Sequence, residues 1–553
     1  MKKLFAFVLS LVMVLSLCVA CGVDQPDTTA TNGGGEGGGS DKISLTIGMK
    51  IKATVLDYED NAMTKWVEEQ TGFDLTFLPY SGGEETKTQI ATTISAGKPL
   101  PDILFGISLG TDVVNQYGQE GYLVDLTPYL EDRDGKSKVF WERFESVYTE
   151  DQQEEILAKM KDPDTGKIFA MPSMDTSLVD PIDYMLWINT EWLDKLGLPM
   201  PTDRQSLYDT LVAFRDGDPN GNGQKDEIPL YGAQEGGRGA DVINWLVNMF
   251  VYMDDIKTFN VDEDNQLYTP FTTDEYREAL KFINKLIKEG LMLDTAFTAG
   301  MADVKPVTTP ASGTAMCGIF AGHLTLHADY NNPVMKQYQP LPLWSQVVIH
   351  DHNLSCATYI TADCKNPDAA FELFMTLYSE PASIRLRYGE YGANWTDPDE
   401  GAVSPYGIPA KIKIIRDPLM EQNYCLWSGV SCTLAEWSEG EAAQMSDKAT
   451  EGEILKAQMH AKARELIDEA VEKYNPAKEL MCPSLTYTAE EKEIGDTQRT
   501  ACVSYYRQCR TDFCTGQLNP NSDADWQTYL DTLEDMGIED WLTMAQLAYD
   551  RMW

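Results

Sequence analysis

After residue 42 the chain alternates between two hydrophobic periodicities. Residues 43–47 and 73–77 carry apolar side chains at every second position, which predicts two β-strands. The apolar positions of 63–67 and 90–94 instead recur at helical spacing, and a glycine follows each predicted helix. The apolar run at 103–105 then predicts a short buried strand. This β-α-β-α-β order predicts an α/β fold built on a mostly parallel sheet.

Helical patterns dominate later parts of the chain. Residues 276–287 place apolar side chains on one helical face, and Thr272 with Glu275 forms a capping-box pattern that predicts where this helix begins. From about residue 435 the sequence consists mainly of charged helical patterns. We therefore expect helical additions at the C-terminal end.

The first residues have the composition of an export signal. Two lysines precede an apolar run over 4–17, which is too short for an ordinary membrane-spanning helix. A small residue, Ala20, stands directly before Cys21. This order predicts a lipoprotein signal peptide over 1–20, in which lipid with acyl chains such as palmitate is attached to Cys21 and cleavage follows at Ala20.

The predicted lipid anchor has one irregular feature and a linker behind it. Cys18 stands where lipoprotein signals usually carry leucine, so a plain signal peptide with incidental cysteines is the alternative interpretation. Residues 21–41 are rich in glycine and nearly free of large apolar side chains, which predicts a flexible tether with a reach of roughly 25 Å. The globular part should begin near Lys42. We expect a lipid-anchored protein on the extracellular face of the cell membrane.

The charge balance excludes two classes of partner. The chain has 44 basic and 87 acidic residues and a formal net charge of −43. Binding to nucleic acid or to an anionic membrane surface needs basic patches, so we expect neither. The cysteines after Cys21 form no CxxC pair, which argues against zinc-ribbon and thioredoxin-like sites. Disulfides are permitted outside the cell, and buried thiols are the alternative.

The segment from Asp216 to Glu227 has the pattern of a calcium-binding loop. Oxygen-bearing side chains occupy its first, third, fifth and twelfth positions, and glycine occupies the sixth. This arrangement suits a hard, seven-coordinate cation. Pro229 follows and disfavours a second helix, so we expect a structural calcium ion rather than a sensor. An Asx-rich turn without metal is the alternative. The predicted ligands are Asp216, Asp218, Asn220, Asn222, Gln224 (through water) and Glu227.

Taken together, these segments resemble the family 1 extracellular solute-binding proteins of ABC importers, in particular their large lipoprotein branch. The resemblance runs from about residue 43 to the C-terminal end. It depends on the order and spacing of several segments, which are 96–105 (AGKPLPDILF), 120–130 (EGYLVDLTPYL), 186–198 (LWINTEWLDKLGL), the calcium-type loop, 388–392 (YGEYG) and the helices of 526–549.

The resemblance implies a type II periplasmic-binding-protein-like fold, with two hinged α/β lobes that close over a ligand. Neither lobe should be continuous in sequence. The expected boundaries are 42–175 with 314–358 for lobe 1, and 176–313 with 359–553 for lobe 2.

The resemblance also implies the ligand and the partners. A carbohydrate, usually an oligosaccharide, would bind between the lobes of a monomer and pass to ABC permease subunits in the membrane. Aromatic faces suit sugar rings, and charged or amide groups suit hydroxyls, whereas the alternative for each residue is core packing or a solvated surface. The candidate ligand-binding residues are Tyr80, Asp112, Trp187, Arg238, Asp241, Trp245, His323, Glu390, Trp395 and Trp427.

Two other functions remain open at this point. The sequence contains no HExxH pair and no phosphate-binding P-loop, and we expect no enzyme. A secreted calcium-dependent carbohydrate-active enzyme is nevertheless an alternative, because acidic chains contain many carboxylate pairs. A surface glycan-binding adhesin is the other alternative, and it would have no deep cleft.

Overall fold

The computed structural model describes residues 42–552 except 53–54, 176–184, 235–238, 255–257, 343, 345–354, 417–426, 428–431, 434–441, 475–480 and 484. The predicted signal peptide, Cys21 and the tether therefore lie outside the described residues. Within these ranges, no helix combines the length and the apolar character needed to cross a membrane.

The strands of the described residues are, in chain order, β1 (Ser44–Lys50), β2 (Asp74–Tyr80), β3 (Ile103–Phe105), β4 (Met171–Asp175), β5 (Leu186–Asn189), β6 (Ile228–Tyr231), β7 (Asn260–Val261), β8 (Leu267–Tyr268), β9 (Cys317–Ala321), β10 (Tyr338–Pro340), β11 (Ser355–Ile360), β12 (Trp395–Thr396), β13 (Ile412–Ile414), β14 (Cys432–Thr433) and β15 (Ala443–Gln444).

The α-helices of the same residues are α1 (Ala62–Thr71), α2 (Gly83–Ser95), α3 (Thr111–Gln119), α4 (Thr127–Glu131), α5 (Lys138–Val147), α6 (Glu150–Met160), α7 (Thr190–Leu196), α8 (Arg204–Asp216), α9 (Val242–Val247), α10 (Asp274–Lys288), α11 (Met301–Thr308), α12 (Pro367–Tyr378), α13 (Glu380–Tyr388), α14 (Glu451–Tyr474), α15 (Ala489–Thr515), α16 (Asp523–Asp535) and α17 (Ile538–Asp550).

The first sheet has six strands in the order β14-β4-β11-β3-β1-β2. Strand β1 pairs in parallel with both β2 and β3, which confirms the parallel β-α-β-α-β unit expected from the sequence. Strand β11 runs antiparallel to β3 and β4. Alternation along β1 buries Leu45, Ile47 and Met49, and these side chains belong to a core that also contains Phe140 and Phe374.

The second sheet has four strands in the order β10-β5-β9-β6 and a separate, larger core. Strand β9 pairs in parallel with β6 and antiparallel with β5. The C-terminal helices α15 to α17 contribute to this core. The cysteines of α15 are buried free thiols within it, namely Cys502, Cys509 and Cys514. Two sheets with separate cores confirm the expected two-lobed α/β class.

Strand pairing and packing bear on where the chain passes between the sheets. Within 314–358, which we expect in lobe 1, β9 lies in the middle of the second sheet, where Phe320 pairs with Trp187. Within 359–553, which we expect in lobe 2, Phe371 and Phe374 of α12 pack in the first core. Periodicity identifies a buried strand but carries no information on which sheet it joins, so the exchange points required the pairing itself.

Two local features complete the fold. Helix α10 begins one residue later than expected, because Thr273 rather than Thr272 is the N-cap and accepts a hydrogen bond from the backbone N–H of Tyr276. Strands β12, β13 and β15 form a small third sheet whose buried Ile412 packs with Tyr388 at the end of α13. Ile414 of β13 and Ala443 of β15 in this small sheet also line a cavity.

Candidate ligand site

A cavity of about 480 Å³ lies where elements of both lobes meet. The loop after β9 contributes His323 and Tyr330, and the first turns of α14 contribute His460, so one wall belongs to the second lobe. The opposite wall consists of Tyr388 at the end of α13 and Ile414 of β13, and α13 packs into the core of the first lobe. Small-molecule sites have volumes of roughly 300–1,000 Å³, and this cavity falls in that range.

A tight turn places the histidines of the second-lobe wall. Gly322 has a φ of +144°, and a Cβ at this position would collide with the ring of His327, so the turn requires glycine. The backbone N–H of His323 donates to Nδ1 of His327 at 2.9 Å, and the backbone N–H of Thr325 donates to Nδ1 of His323 at 3.2 Å. The ring of His323 therefore has a fixed orientation, 5.7 Å from the ring of His460.

His460 is a buried histidine at the wall of the cavity. Burial is the main cause that lowers its pKa to about 3, and the nearby Lys456 and His323 contribute to the same shift. The imidazole is therefore neutral at physiological pH. Its Nε2 atom has no hydrogen-bond partner among the described residues. A nitrogen of a neutral imidazole can donate or accept one hydrogen bond, according to the tautomer, and a ligand can be the partner.

Three tyrosines line the same cavity, and sequence reasoning did not select them. They are Tyr330, Tyr388 and Tyr406, and the ammonium group of Lys456 lies 5.2 Å from the ring centre of Tyr330. Tyr388 begins the segment 388–392 that supports the family resemblance, so a signal for it was present. The other two come from loops, where no periodicity distinguishes a ligand contact from a surface residue.

One of the ten candidate ligand residues, His323, is among the described residues that line this cavity. Trp187 is completely buried in the core of the second lobe, and its Nε1–H donates to the carbonyl of Gly322 at 2.7 Å. Tyr80 and Trp427 are also buried. Trp427 packs edge-on against Phe77 and Phe105 in the first lobe. For these rings the structure shows core packing, the alternative interpretation of each candidate.

Other candidates have structural partners away from the cavity. Asp241 is the N-cap of α9 and accepts hydrogen bonds from the backbone N–H groups of residues 243 and 244. Asp112 of α3 forms an ion pair with Lys492 of α15, which joins the first lobe to the C-terminal helices. Trp245 packs edge-on against Trp344, with ring centres 6.0 Å apart. Arg238 lies outside the described residues.

Trp395 lines a separate pocket of about 320 Å³, and Glu390 contacts Arg385, another residue of its lining. The carboxylate of Glu390 pairs with Arg385 at 3.1 Å, and the indole N–H of Trp395 donates to the carbonyl of Gly389 at 3.2 Å. Tyr391 packs edge-on against Trp395. The structure therefore brings these two candidates together, but away from His323.

The predicted calcium loop connects α8 to β6. Asp218 and Gly221 have positive φ values of 48° and 75°, which curl the loop. The carboxylate of Asp218 accepts hydrogen bonds from the backbone N–H groups of Asn222 at 3.1 Å and Gly223 at 3.0 Å. Asp216, at the first position, pairs with the guanidinium of Arg215 at 2.7 Å. The loop thus has the curvature of a metal-binding loop, and its first carboxylate has a competing partner.

Glu227, at the twelfth position, is the most informative residue of the loop. Both carboxylate oxygens are buried, and neither has a hydrogen-bond partner among the described residues. Burial raises the pKa of this carboxyl, and the nearby charges of Asp226 and Asp218 also raise it, whereas the backbone of Glu227 and Asn220 lowers it in part. Within the described ranges, no three His, Cys, Asp or Glu side chains are grouped as a metal site. A metal here would therefore also need the amide and carbonyl oxygens of the loop.

Comparison with known proteins places this architecture in a family. The model of the bacterial extracellular solute-binding proteins matches residues 53–384, which is more than half of the chain. The chain belongs to this family. The expected resemblance is thereby confirmed, and two-lobed binding proteins that serve transporters are the appropriate reference for the cavity between the lobes.

Two curated relatives match parts of this solute-binding protein. The fructooligosaccharide ABC transporter substrate-binding protein FusA of Streptococcus pneumoniae is 27% identical over 246 residues, which are 44% of this chain and 43% of FusA. Lipoprotein LipO of Bacillus subtilis is 35% identical over 109 residues, which are 19% of this chain and 20% of LipO. These matches span less than half the length of either relative.

Solved structures match over nearly the whole chain. FusA in complex with kestose and a FusA EF-hand mutant in complex with fructo-nystose each give a TM-score of 0.69 at 21% identity, covering 92% of this chain and 99% of FusA. An HMO-binding solute-binding protein from Bifidobacterium longum infantis gives a TM-score of 0.70 at 20% identity, with the same coverage. At this identity the likeness establishes the fold alone.

Proposed function

We propose that the protein is the extracytoplasmic substrate-binding receptor of an ABC importer. It captures an oligosaccharide in the cavity between its lobes and delivers it to permease subunits in the membrane. The observation that carries this proposal is the cavity itself, which combines walls from both lobes with three tyrosines and an unused histidine nitrogen. Tyrosine rings suit the C–H faces of sugars, and the histidine suits a hydroxyl.

The same cavity favours binding over hydrolysis. Glycoside hydrolysis needs two carboxyl groups on either side of the scissile bond. Glu453 is the single carboxylate among the described residues that line the cavity, and its Oε2 accepts a hydrogen bond from the backbone N–H of Thr450 at 2.6 Å. A carboxylate that caps a helix is poorly placed to act as an acid, a base or a nucleophile. An adhesin has no need for a cavity between two lobes.

A structural calcium ion belongs to the proposal. Glu227 supplies a buried carboxylate without a partner, and such a group is stable when a cation neutralises it. The ion would be held by Asp216, Asp218, Asn220, Asn222 and Glu227, with Gln224 acting through water. Bound calcium would supply a positive charge that joins the end of α8 to the start of β6. The EF-hand mutant of FusA indicates that this loop type occurs within the family.

A lipid anchor at Cys21 completes the proposal. The apolar run at 4–17 and the tether at 21–41 support export and attachment to the outer face of the cell membrane. LipO, a relative over 109 residues, is a lipoprotein. A monomeric receptor on a flexible tether can reach its permease in any orientation.

Thermal-shift measurements of the mature chain against a panel of neutral and acidic oligosaccharides test the proposed function. We expect one class of glycan to raise the melting temperature in a saturable manner, because a ligand that binds only the folded state stabilises it. Chromatography of the same glycan after incubation should recover it unchanged. Cleaved glycan would support the enzyme alternative, and a panel without any stabilising glycan would contradict the proposal.

A further inference from the structure

The two lobes also touch away from the cavity, at the beginning of α15. This helix belongs to the second lobe, because its buried residues lie in the second core. Lys492 in its first turn forms an ion pair with Asp112 of α3. Helix α3 belongs to the first lobe, since Val114 of that helix packs with Leu104 of β3. The ion pair therefore joins the two lobes.

A second carboxylate of the first lobe reaches the same helix terminus. Asp164 lies in the turn after α6, and its Oδ2 accepts a hydrogen bond from the backbone N–H of Ala489 at 3.4 Å. Ala489 is the first residue of α15. The N–H groups at a helix N-terminus carry positive partial charge, so a carboxylate is favourable there. Two carboxylates of the first lobe thus contact one helix terminus of the second.

The buried carboxylate in the first turn of α15 has its own partners within the second lobe. Glu491 accepts hydrogen bonds from Nε and Nη2 of Arg551 at 3.1 and 3.0 Å, and it forms a capping box with Thr488. Nη2 of Arg551 also donates to the carbonyl of Thr486 at 2.6 Å. These bonds hold the beginning of α15 in place. The ammonium group of Lys492 contacts Asp112 across the lobes instead of the neighbouring Glu491.

This contact between the lobes is polar. The side chains of Asp112 and Lys492 are 57% and 25% exposed. Beside them, a cavity of about 410 Å³ lies between the end of α6 and residues 486 and 551–552. The lobes also keep separate apolar cores. Charged groups can separate here without breaking a shared apolar core, so the contact is suited to form and open reversibly.

The overall charge of the chain makes an attractive contact between the lobes a specific feature. Acidic residues outnumber basic ones by at least two to one both in 43–175 of the first lobe and in 489–550 of the second. Surfaces of the same sign repel each other, which opposes the approach of the lobes. Lys492 stands between Glu491 and Glu493 in the sequence, yet it presents a positive charge to a carboxylate of the other lobe.

We propose that Lys492, Asp112 and Asp164 form an interlobe latch, which stabilises the closed arrangement of the lobes and thereby raises the affinity for the glycan. This inference rests on the proposed function and adds positioning residues that do not touch the ligand. Latch and glycan favour the same arrangement, and apparent affinity is proportional to the fraction of chains in that arrangement. An exposed ion pair of this kind shifts such an equilibrium by roughly two- to fivefold.

Small-angle X-ray scattering of the ligand-free chain tests the latch directly. The ratio of open to closed molecules should rise by roughly two- to fivefold in Lys492→Gln and in Asp112→Asn. Exchanging the charges, with Asp112→Lys and Lys492→Glu together, should return the ratio toward that of the unsubstituted chain. Lys462→Gln is the control, because Lys462 pairs with Glu465 at 3.0 Å within α14, and this variant should scatter as the unsubstituted chain does.

Salt and glycan binding give two further readouts. The difference in scattering between the unsubstituted chain and Lys492→Gln should shrink as salt rises from about 0.01 M to about 1 M, because salt screens the exposed pair. The panel glycan that raises the melting temperature of the unsubstituted chain should bind both single variants roughly two- to fivefold more weakly, and Lys462→Gln should bind it normally.

The outcomes separate this inference from the proposed function. Unchanged scattering of both single variants, or unchanged affinity for a glycan that binds the unsubstituted chain, would overturn the latch, even if the variants melt at lower temperature. The expected scattering without binding of any panel glycan would support the latch and contradict the proposed function. Thermal melting of each ligand-free variant confirms that a change in scattering is not a loss of fold.

Discussion

Glu227→Gln should leave the protein as stable as the unsubstituted chain, or more stable, without calcium. With calcium added, the variant should be the less stable of the two. Both oxygens of Glu227 are buried without a hydrogen-bond partner among the described residues, and Asp218 and Asp226 lie nearby with the same charge. Replacing the carboxyl with an amide removes this unfavourable charge. Without calcium, we therefore expect the variant to be as stable as the unsubstituted chain or more stable.

The magnitudes differ enough to be measured. A buried polar group without a partner destabilises a protein by about 1–3 kcal/mol, so removing the charge should gain up to about this amount without metal. With calcium at a hundred times its dissociation constant, the unsubstituted chain should gain about 2.7 kcal/mol. The variant lacks the bidentate carboxylate and should lose most of that gain. For a lobe of this size, such differences move the melting temperature by about 6 °C or more.

The assay is thermal melting of both proteins in chelator and in millimolar calcium. Glu278→Gln is the control, because Glu278 is an exposed residue that pairs with Lys281 at 2.7 Å and lies far from the loop in sequence. The control should respond to calcium as the unsubstituted chain does. Equal responses of Glu227→Gln and the unsubstituted chain, or no response of either, would refute the calcium proposal.

Three further predictions concern pH, packing and anchoring. The pKa of His460 in the folded protein is lowered to about 3, so the folded state loses stability as the pH falls from 6.5 toward 3. Denaturant titration should show that the free energy of unfolding is about 2 kcal/mol smaller at pH 5 than at pH 7, and that His460→Gln lacks this contribution. Equal losses in both proteins would contradict the burial of a neutral His460. Gly318→Ala should destabilise the protein by about 1–3 kcal/mol, because the new Cβ would collide with a phenylalanine ring and lie 2.9 Å from a backbone carbonyl. In the control Gly300→Ala the new Cβ meets nothing closer than 3.8 Å, and this substitution should cost about 1 kcal/mol or less. Urea unfolding midpoints compare the two variants, and equal costs would contradict the packing of β9. Cys21→Ser should abolish metabolic labelling with palmitate and release the protein into the medium, whereas Cys18→Ser should do neither; labelling that survives Cys21→Ser would exclude Cys21 as the lipid site.

Local patterns in the sequence predicted local structure well. The strands of the first sheet's β-α-β-α-β unit and the helix of 276–287 follow from periodicity, because burial of one face depends on neighbours in the chain. The loop at 216–227 was also recognisable, since its oxygen donors lie within twelve residues. Its competing pair between Arg215 and Asp216 was not foreseen, because a side chain's choice of partner depends on geometry.

The sequence patterns do not predict which distant segments of the chain pair or pack together. Strand β9 reads as a buried strand from its residues, but only its register with β5 and β6 assigns it to the second sheet. Trp187 illustrates the same limit. Its composition fits a sugar site and a core equally well, and the bond to Gly322 decides for the core. The residues that line the cavity, among them Tyr330, Tyr388 and His460, come from distant segments, so no local pattern connects them.

The most direct measurement of the central claim is calorimetric titration of the mature chain with the oligosaccharide that stabilises it most, followed by chromatography of the recovered glycan. We expect saturable binding with one glycan per chain and an unchanged glycan afterwards. Substituting Tyr388 with alanine should weaken that binding, because its ring lines the cavity. Turnover of the glycan, or binding that the cavity variant does not affect, would contradict a transport receptor with its ligand site between the lobes.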